Sequence, residues 1–254
     1  MKKFLLATAM TALASSGAWA ADMVVKAVPI AAYDWSGFYG GVNVGWMRDA
    51  GTFNWPYTAL PNRSFDHSGD EVFISGHAGV QWQFGSWVLG IEGSANMPVD
   101  ATYHTGSGQT GCPNVLFTCQ SRVTSFWTVG PKLGYAFDRW MVYGTGGYAR
   151  AALQSKAFLT ATGVVQDELS QRANGWFAGV GFDYSILCTS FADVLIGVEY
   201  QHVAFDSVTF LSPADAFSTV GANRRDTSNY HIDAVSARLT VKMNPWTGPV
   251  VAKY

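Results

Sequence analysis

Between Val123 and Arg150 the chain alternates hydrophobic and polar positions with a period of two. Val123, Ser125, Trp127, Val129, Leu133, Tyr135 and Phe137 share one parity. Thr124, Thr128, Gly130, Lys132, Gly134 and Ala136 share the other, with Phe126 the one exception. Such a period belongs to a β-strand with one apolar face. Asp138-Arg139 then reads as a two-residue turn, which sets Phe137 opposite Trp140 on the apolar face and starts a second strand running to Arg150.

The same pattern predicts further strands at 35–47, 72–84, 87–97, 173–184, 192–205 and 230–243. Gly85-Ser86 repeats the two-residue turn, and alternation independently puts Phe84 and Trp87 on one face. Residues 185–191, with Cys188, read as another short turn. The remaining connections are long and polar: 48–71, 98–121, 153–172 and 206–229. Eight strands joined by alternating long and short connections predict an all-β fold. The specific expectation is an eight-stranded antiparallel up-and-down transmembrane β-barrel, short turns periplasmic and long loops outside.

In that fold the apolar parity meets lipid and the polar parity fills the lumen. Glu92, Arg122, Lys132, Asp183, Glu199, Arg238 and Lys242 fall on the lumen parity, with His77 and many glycines. Eight strands leave an interior only wide enough for side chains, so these charges are expected to form an interior salt-bridge network. Glu92 and Lys132 count to one height, Arg238 and Glu199 to mid-depth, and Asp183 and Lys242 to the lower rim. Aromatics gather at strand ends, as interfacial rings do. Phe38, Phe84, Trp87, Phe137, Trp140 and Tyr184 are assigned to the lower girdle; Trp46, Tyr148, Trp176 and Tyr200 to the upper. Arg150 lies on the lipid parity at the outer end of its strand, at the level of lipopolysaccharide phosphates.

Composition agrees with a membrane barrel. Charged residues are 13%, about half the usual share, aromatics 15%, and no apolar run beyond residue 20 reaches the length of a membrane helix. A formal charge of −2 gives no reason to expect nucleic acid. Met1-Lys2-Lys3, the apolar stretch Phe4–Leu13 and Ala18-Trp19-Ala20 form a signal peptide with an A-x-A cleavage site. The expected organisation is signal peptide 1–20, periplasmic linker 21–34, barrel 35–243 and periplasmic tail 244–254. Cys112 and Cys119, close together in one loop, are candidates for a small disulfide ring, leaving Cys188 unpaired in a turn.

Several stretches together resemble a known family: ADMVVKA after the signal peptide, WSGFYGGVNVGW at 35–46, TVGPKLGYAFDRWMVYGTGGYA at 128–149, GWFAGVGFDY at 175–184, IGVEYQHVAF at 196–205 and GPVVAKY at 248–254. They resemble the small outer-membrane β-barrel proteins of alphaproteobacteria, labelled outer-membrane immunogenic or porin-family proteins, of the OmpA-like transmembrane type. The resemblance spans essentially the entire mature chain and implies a location in the outer membrane. Where the family reads TVRGRLGY this chain reads TVGPKLGY, so Lys132 replaces an Arg and Pro131 interrupts a strand, predicting a bulge or distorted pairing. Its last strand closes on TVKM where the family carries an aromatic ending.

Catalytic chemistry is not legible. His67 with Asp66, Asp70 and Glu71 is a weak cation candidate, and His104 a weak echo of lipid-modifying barrels. Gly144–Gly147 and Gly175–Gly181 lie in strands rather than before helices, which excludes a dinucleotide fingerprint. No cofactor or metal is expected. The leading reading is a non-enzymatic envelope protein acting through its surface loops, as a surface antigen or in adhesion; the alternative is a narrow porin-like channel for ions or small solutes. The expected partners are outer-membrane lipid, lipopolysaccharide, the barrel-assembly machinery during insertion, and host or surface ligands at the loops.

Overall fold

The computed structural model describes residues 33–55, 63–105, 117–189, 191–212 and 224–243. The expected signal peptide, most of the expected linker, the expected tail and Cys112 lie outside them, as does the Cys119 side chain. Ten strands form one antiparallel sheet: β1 (Gly37–Trp55), β2 (Arg63–Phe84), β3 (Trp87–Pro98), β4 (His104–Thr105), β5 (Phe117–Phe137), β6 (Trp140–Leu159), β7 (Val165–Cys188), β8 (Ala192–Phe205), β9 (Val208–Ser212) and β10 (Arg224–Met243). Eight of them run β1-β2-β3-β5-β6-β7-β8-β10, and pairing of β1 with β10 closes the ring. β4 pairs with β5 and β9 with β10, both as short additions beyond the main circuit.

The two expected hairpin turns are tight. Phe84 pairs with Trp87 and Phe137 with Trp140. Gly85 (φ 63°) and Asp138 (φ 55°) take the positive φ that a primed hairpin turn requires at its first central residue. Asp tolerates this conformation better than most residues with a Cβ. Cys188 is the last residue of β7, opposite Asp193, rather than part of the turn; it is exposed and forms no disulfide, its Sγ lying 3.2 Å from Ser185 Oγ.

Two of the expected long loops are largely strand, and a third is partly so. β1 and β2 remain paired up to Trp55 and Arg63, and β6 and β7 are joined by residues 160–164 alone. β9 and β10 fill part of 206–229 in the same way. From Trp46 to Trp55 the wall climbs roughly 30 Å along the strand. Sequence alternation weakens there because neither face meets lipid, and polar residues on a strand in water look like a loop.

One irregularity reverses a parity. The β5–β6 register shifts between Val123 and Ser125, so one extra residue is inserted at Thr124. Below this bulge Phe126, Thr128 and Lys132 are buried in the lumen; above it Val123 and Ser121 are. Val123 therefore faces inward, not to lipid, and Arg122 faces the outer wall, not the lumen. Strict alternation counted through the bulge assigns both to the wrong side. Pro131 produces no bulge. It stays in register opposite Ile91, while the β5–β6 ladder skips Gly130 and Pro131 and resumes at Lys132↔Thr145. The backbones close up there, since a Cβ on Gly130 would lie 2.0 Å from the Gly146 carbonyl oxygen.

Candidate functional site: the filled lumen and the outer wall

The lumen is stacked in layers. At the mouth that carries the short turns, residues 33–36 turn into the barrel instead of leading away as a linker. Trp35 is completely buried; its Nε1 donates to the Asp138 carbonyl (3.1 Å), its backbone N–H to Gln83 Oε1 (2.7 Å), and its carbonyl accepts from Gln81 Nε2 (2.6 Å). Val88, Ala136, Met141 and Leu195 surround it. Beside it Lys242 Nζ pairs with Asp193 Oδ2 (3.2 Å), lies 4.5 Å from the Tyr33 ring and donates to the Asp34 carbonyl. Tyr33 donates to the same Asp193 oxygen at 2.9 Å.

Above the mouth lies an ion cluster. Arg238 binds both oxygens of Glu92 (Nη1–Oε1 2.9 Å, Nη2–Oε2 2.8 Å) and also reaches Glu199 Oε2. Lys132 Nζ bridges Glu92 Oε2 and Asp183 Oδ2, each at 3.3 Å. Two tyrosines complete it: Tyr39 donates to Glu92 (2.9 Å) and Tyr143 to Glu199 (2.6 Å), while Lys132 sits 3.7 Å from the Tyr143 ring centroid. Burial of unpaired charges costs several kcal/mol each, so three carboxylates and two cations with tyrosine donors form a mutually dependent set. Glycines make room for the rings: a Cβ on Gly181 would lie 2.2 Å from Tyr143 Cζ, and one on Gly79 2.5 Å from the Tyr39 hydroxyl.

Of the seven charges placed on the lumen parity, five meet in this cluster. Lys242 stands apart with Asp193, and Arg122 is on the outer wall. There Arg122 binds Gln154 Oε1 (2.9 and 2.6 Å) and the Ala101 carbonyl (3.0 Å), with its guanidinium 4.2 Å over Tyr103. Sequence reasoning missed Trp35 and Tyr143 as lumen groups; Asp193 shares the inward parity of Glu199 but was not counted among the network charges. The signal for Tyr143 was present: glycines on the inward parity of neighbouring strands need a large side chain to fill their space.

A third layer is apolar. Met47, Phe73, Phe126, Leu153, Phe177 and Ile232 are among the residues buried together in the lumen above the ion cluster. Charge counting along the inward parity does not reveal this layer, because its residues are uncharged and spread over seven strands.

Above it, at the outer end, Glu71 Oε1 accepts from His104 Nε2 (3.0 Å) and from the Thr102 backbone N–H (2.9 Å), fixing residues 102–104 over β2. Asp49 is buried nearby, and burial, reinforced by Glu71 and opposed by His104, pushes its carboxyl up to about 6. Burial, with His104 next, pulls the His67 imidazole down to about 4. Both lie well above Trp46, outside the membrane-spanning part of the strands. His67 and Glu71 point inward while Asp66 and Asp70 point outward, so the four do not form a cation site; among the described residues none of the His/Cys/Asp/Glu groups has a metal-binding arrangement.

The outer surface is the inverse of a soluble protein's. Val42, Val44, Ile74, Leu89, Ile91, Leu133, Val180 and Leu239 are all exposed on the wall between the turns and the height of Trp46. Phe38, Phe84, Trp87, Phe137 and Trp140 point outward at the lower edge, and Trp46, Tyr148, Trp176 and Tyr200 at the upper edge. Tyr184 is half-buried because Trp140 packs on it, ring centroids 4.2 Å apart. A continuous apolar belt around a closed barrel, with ion pairs inside, is stable only in a bilayer.

The family called "Outer membrane protein beta-barrel domain" matches residues 5–242. The chain belongs to this family. Outer-membrane β-barrel membership fixes the location in the outer membrane and the sense of the two faces. The chain is 30% identical over 201 residues to the 31 kDa outer-membrane immunogenic protein of Brucella melitensis, covering 73% of this chain and 81% of that protein, and equally so to the one of Brucella suis. Among solved structures it is similar to the outer membrane protein OprG of Pseudomonas aeruginosa, with TM-score 0.41, 11% identity and coverage of 83% of this chain and 97% of that one.

Proposed function

We propose that this outer-membrane barrel is a sealed, non-enzymatic envelope protein whose activity resides on its extracellular surface, as a surface antigen or in adhesion. The observation that carries this reading is the succession of closures in the lumen. Completely buried Trp35 fills the mouth, the ion cluster fills the middle, and the Phe73, Phe126 and Phe177 layer lies above. A hydrated ion crossing this path must break paired charges and then enter an apolar layer where it finds no replacement for water. That opposes the channel reading. Membrane anchorage occupies the belt, and the described residues contain no nucleophile–base pair at an open cleft, which leaves the walls and tips above the upper girdle. The name of the Brucella relatives, immunogenic, supports exposure of this region to the outside.

Planar-bilayer recording of the refolded protein tests it. No reproducible unitary current is expected from the wild type; steady open-channel currents that change on Lys132→Met substitution would overturn the sealed reading. Protease added to intact cells is expected to cut only at the extracellular tips.

A further inference from the structure

The outer wall of β5, β6 and β7 continues upward from the girdle in rungs set by the register. Tyr148 pairs with Trp176 at the girdle itself. The next outward rung is Trp127, Arg150 and Asn174, and the one above places Arg172 opposite Ala152. Arg150 and Arg172 are thus diagonal neighbours on adjacent strands, a separation of about 7–8 Å between backbones. They stand roughly 7 and 14 Å along the strands above the girdle, where the hydrocarbon ends and phosphorylated headgroups begin.

Neither arginine forms an ion pair among the described residues. The opposite side of the barrel differs. There Arg48 pairs in register with Asp233 on one neighbour and Asp70 on the other, and Asp233 also binds His202 Nδ1 at 2.8 Å. The outward cation of β1 thus has a carboxylate opposite it on each neighbouring strand, whereas Arg150 stands opposite Trp127 and Asn174 and Arg172 opposite Ala152, with Asp206 beyond Asn174, its backbone N–H donating to the Asn174 carbonyl. Two like charges side by side at a low-dielectric interface repel, and a shared anion removes that cost. Paired guanidinium forks match phosphate oxygens better than any other side chain does. The flanking Tyr148 hydroxyl is already committed to Asn174 Oδ1 (2.7 Å), which leaves the Asn174 amide NH₂ as a further donor.

We propose that Arg150 and Arg172, framed by Trp127 and Asn174, form a binding site for the phosphate of an outer-leaflet glycolipid, that is, lipopolysaccharide. The occupant is a lipid because the site sits directly on the aromatic girdle, where acyl chains of the same molecule run down the exposed wall.

Full-length barrel refolded in detergent micelles, its folding verified by heat-modifiable electrophoretic mobility, is titrated with purified lipopolysaccharide, with its dephosphorylated form and with inorganic phosphate, and bound lipid is read by native mass spectrometry. The expected result is at least tenfold weaker lipopolysaccharide binding by the Arg150→Gln/Arg172→Gln variant than by the wild type or by Arg48→Gln. Removal of the lipid phosphates is expected to weaken wild-type binding to the level of the double variant. Both arginines point away from the lumen, so the variant is expected to fold. Unchanged affinity in the double variant, equal loss in Arg48→Gln, or no discrimination between phosphorylated and dephosphorylated lipid would each overturn the proposal. Competition by micromolar inorganic phosphate would overturn the lipid assignment.

Discussion

Arg238 of β10 and Glu92 of β3 meet in a bidentate ion pair across the lumen, at 2.9 and 2.8 Å, although 146 residues separate them in sequence. Both side chains are at most 5% exposed, so the pair is held in a medium that cannot resolvate either member.

Arg238→Ala leaves Glu92 and Glu199 buried beside Lys132 alone. Loss of one member of a buried pair costs about 3–5 kcal/mol. The measurement is the urea midpoint of the barrel refolded into lipid vesicles. Arg238→Lys, which keeps the charge but not the fork, is expected to fall between wild type and Ala. A midpoint for Arg238→Ala equal to wild type would mean the cluster contributes nothing.

Gly181→Val tests the fit of ring against empty wall. Its Cβ would meet the Tyr143 ring at 2.2 Å and displace the hydroxyl that donates to Glu199. Overpacking of this kind costs about 1–3 kcal/mol. The double variant Gly181→Val/Tyr143→Phe is expected to recover little, because the ring, not the hydroxyl, occupies the space.

The outer end carries opposing pH dependences. The raised Asp49 carboxyl, about 6 against an ordinary 3.8, contributes stability that is complete below the ordinary value and is lost as pH rises through 6. The lowered His67 imidazole, about 4 against 6.5, contributes stability that is complete above 6.5 and is lost as pH falls toward 4. Acidification from pH 7.5 to 5 therefore has a gain from Asp49 set against a loss from His67, with Glu71 and His104 beside them. Asp49→Asn removes the gain, so its melting temperature in micelles is expected to fall over this range relative to wild type, by the equivalent of about 1 kcal/mol. Parallel pH profiles for the two proteins would contradict this.

Cys188 reports orientation. It is exposed at the end of β7, next to the turn leading into β8 at the mouth closed by Trp35. In a Cys112→Ser/Cys119→Ser background, a membrane-impermeant maleimide is expected to label it only after the outer membrane is permeabilised. Labelling on intact cells would invert the topology.

The hairpin Thr128–Ala149 shows how much the sequence can carry. Its alternation, turn and girdle pair are local, and Phe137↔Trp140 falls where two-residue turn geometry demands. Lipid imposes one rule on every strand alike, that outward residues be apolar. Strand number, the lipid-facing parity and the girdle are therefore written in each strand separately and can be read without neighbours. A bulge breaks that reading because it depends on how β6 lies beside β5. One residue at Thr124 sent Arg122 outward and Val123 inward.

The interior is decided only by closure of the ring. Glu92, Lys132, Asp183, Glu199 and Arg238 each follow from parity, but which of them touch depends on shear, tilt and the space that Gly181 and Gly79 leave for tyrosines. Lys242 and Asp193 stand opposite each other in the β8–β10 register, but Tyr33 joins them because the chain before β1 folds into the mouth, and an extended segment without alternation gives no sign of that. The apolar layer of Phe73, Phe126 and Phe177 is likewise assembled from residues of strands far apart in sequence. Sequence alone determined which side of each strand meets lipid, since a two-residue period and an apolar solvent suffice for that. Only the tertiary structure decided how the lumen is filled, because contacts across a barrel are set by the geometry of all its strands at once.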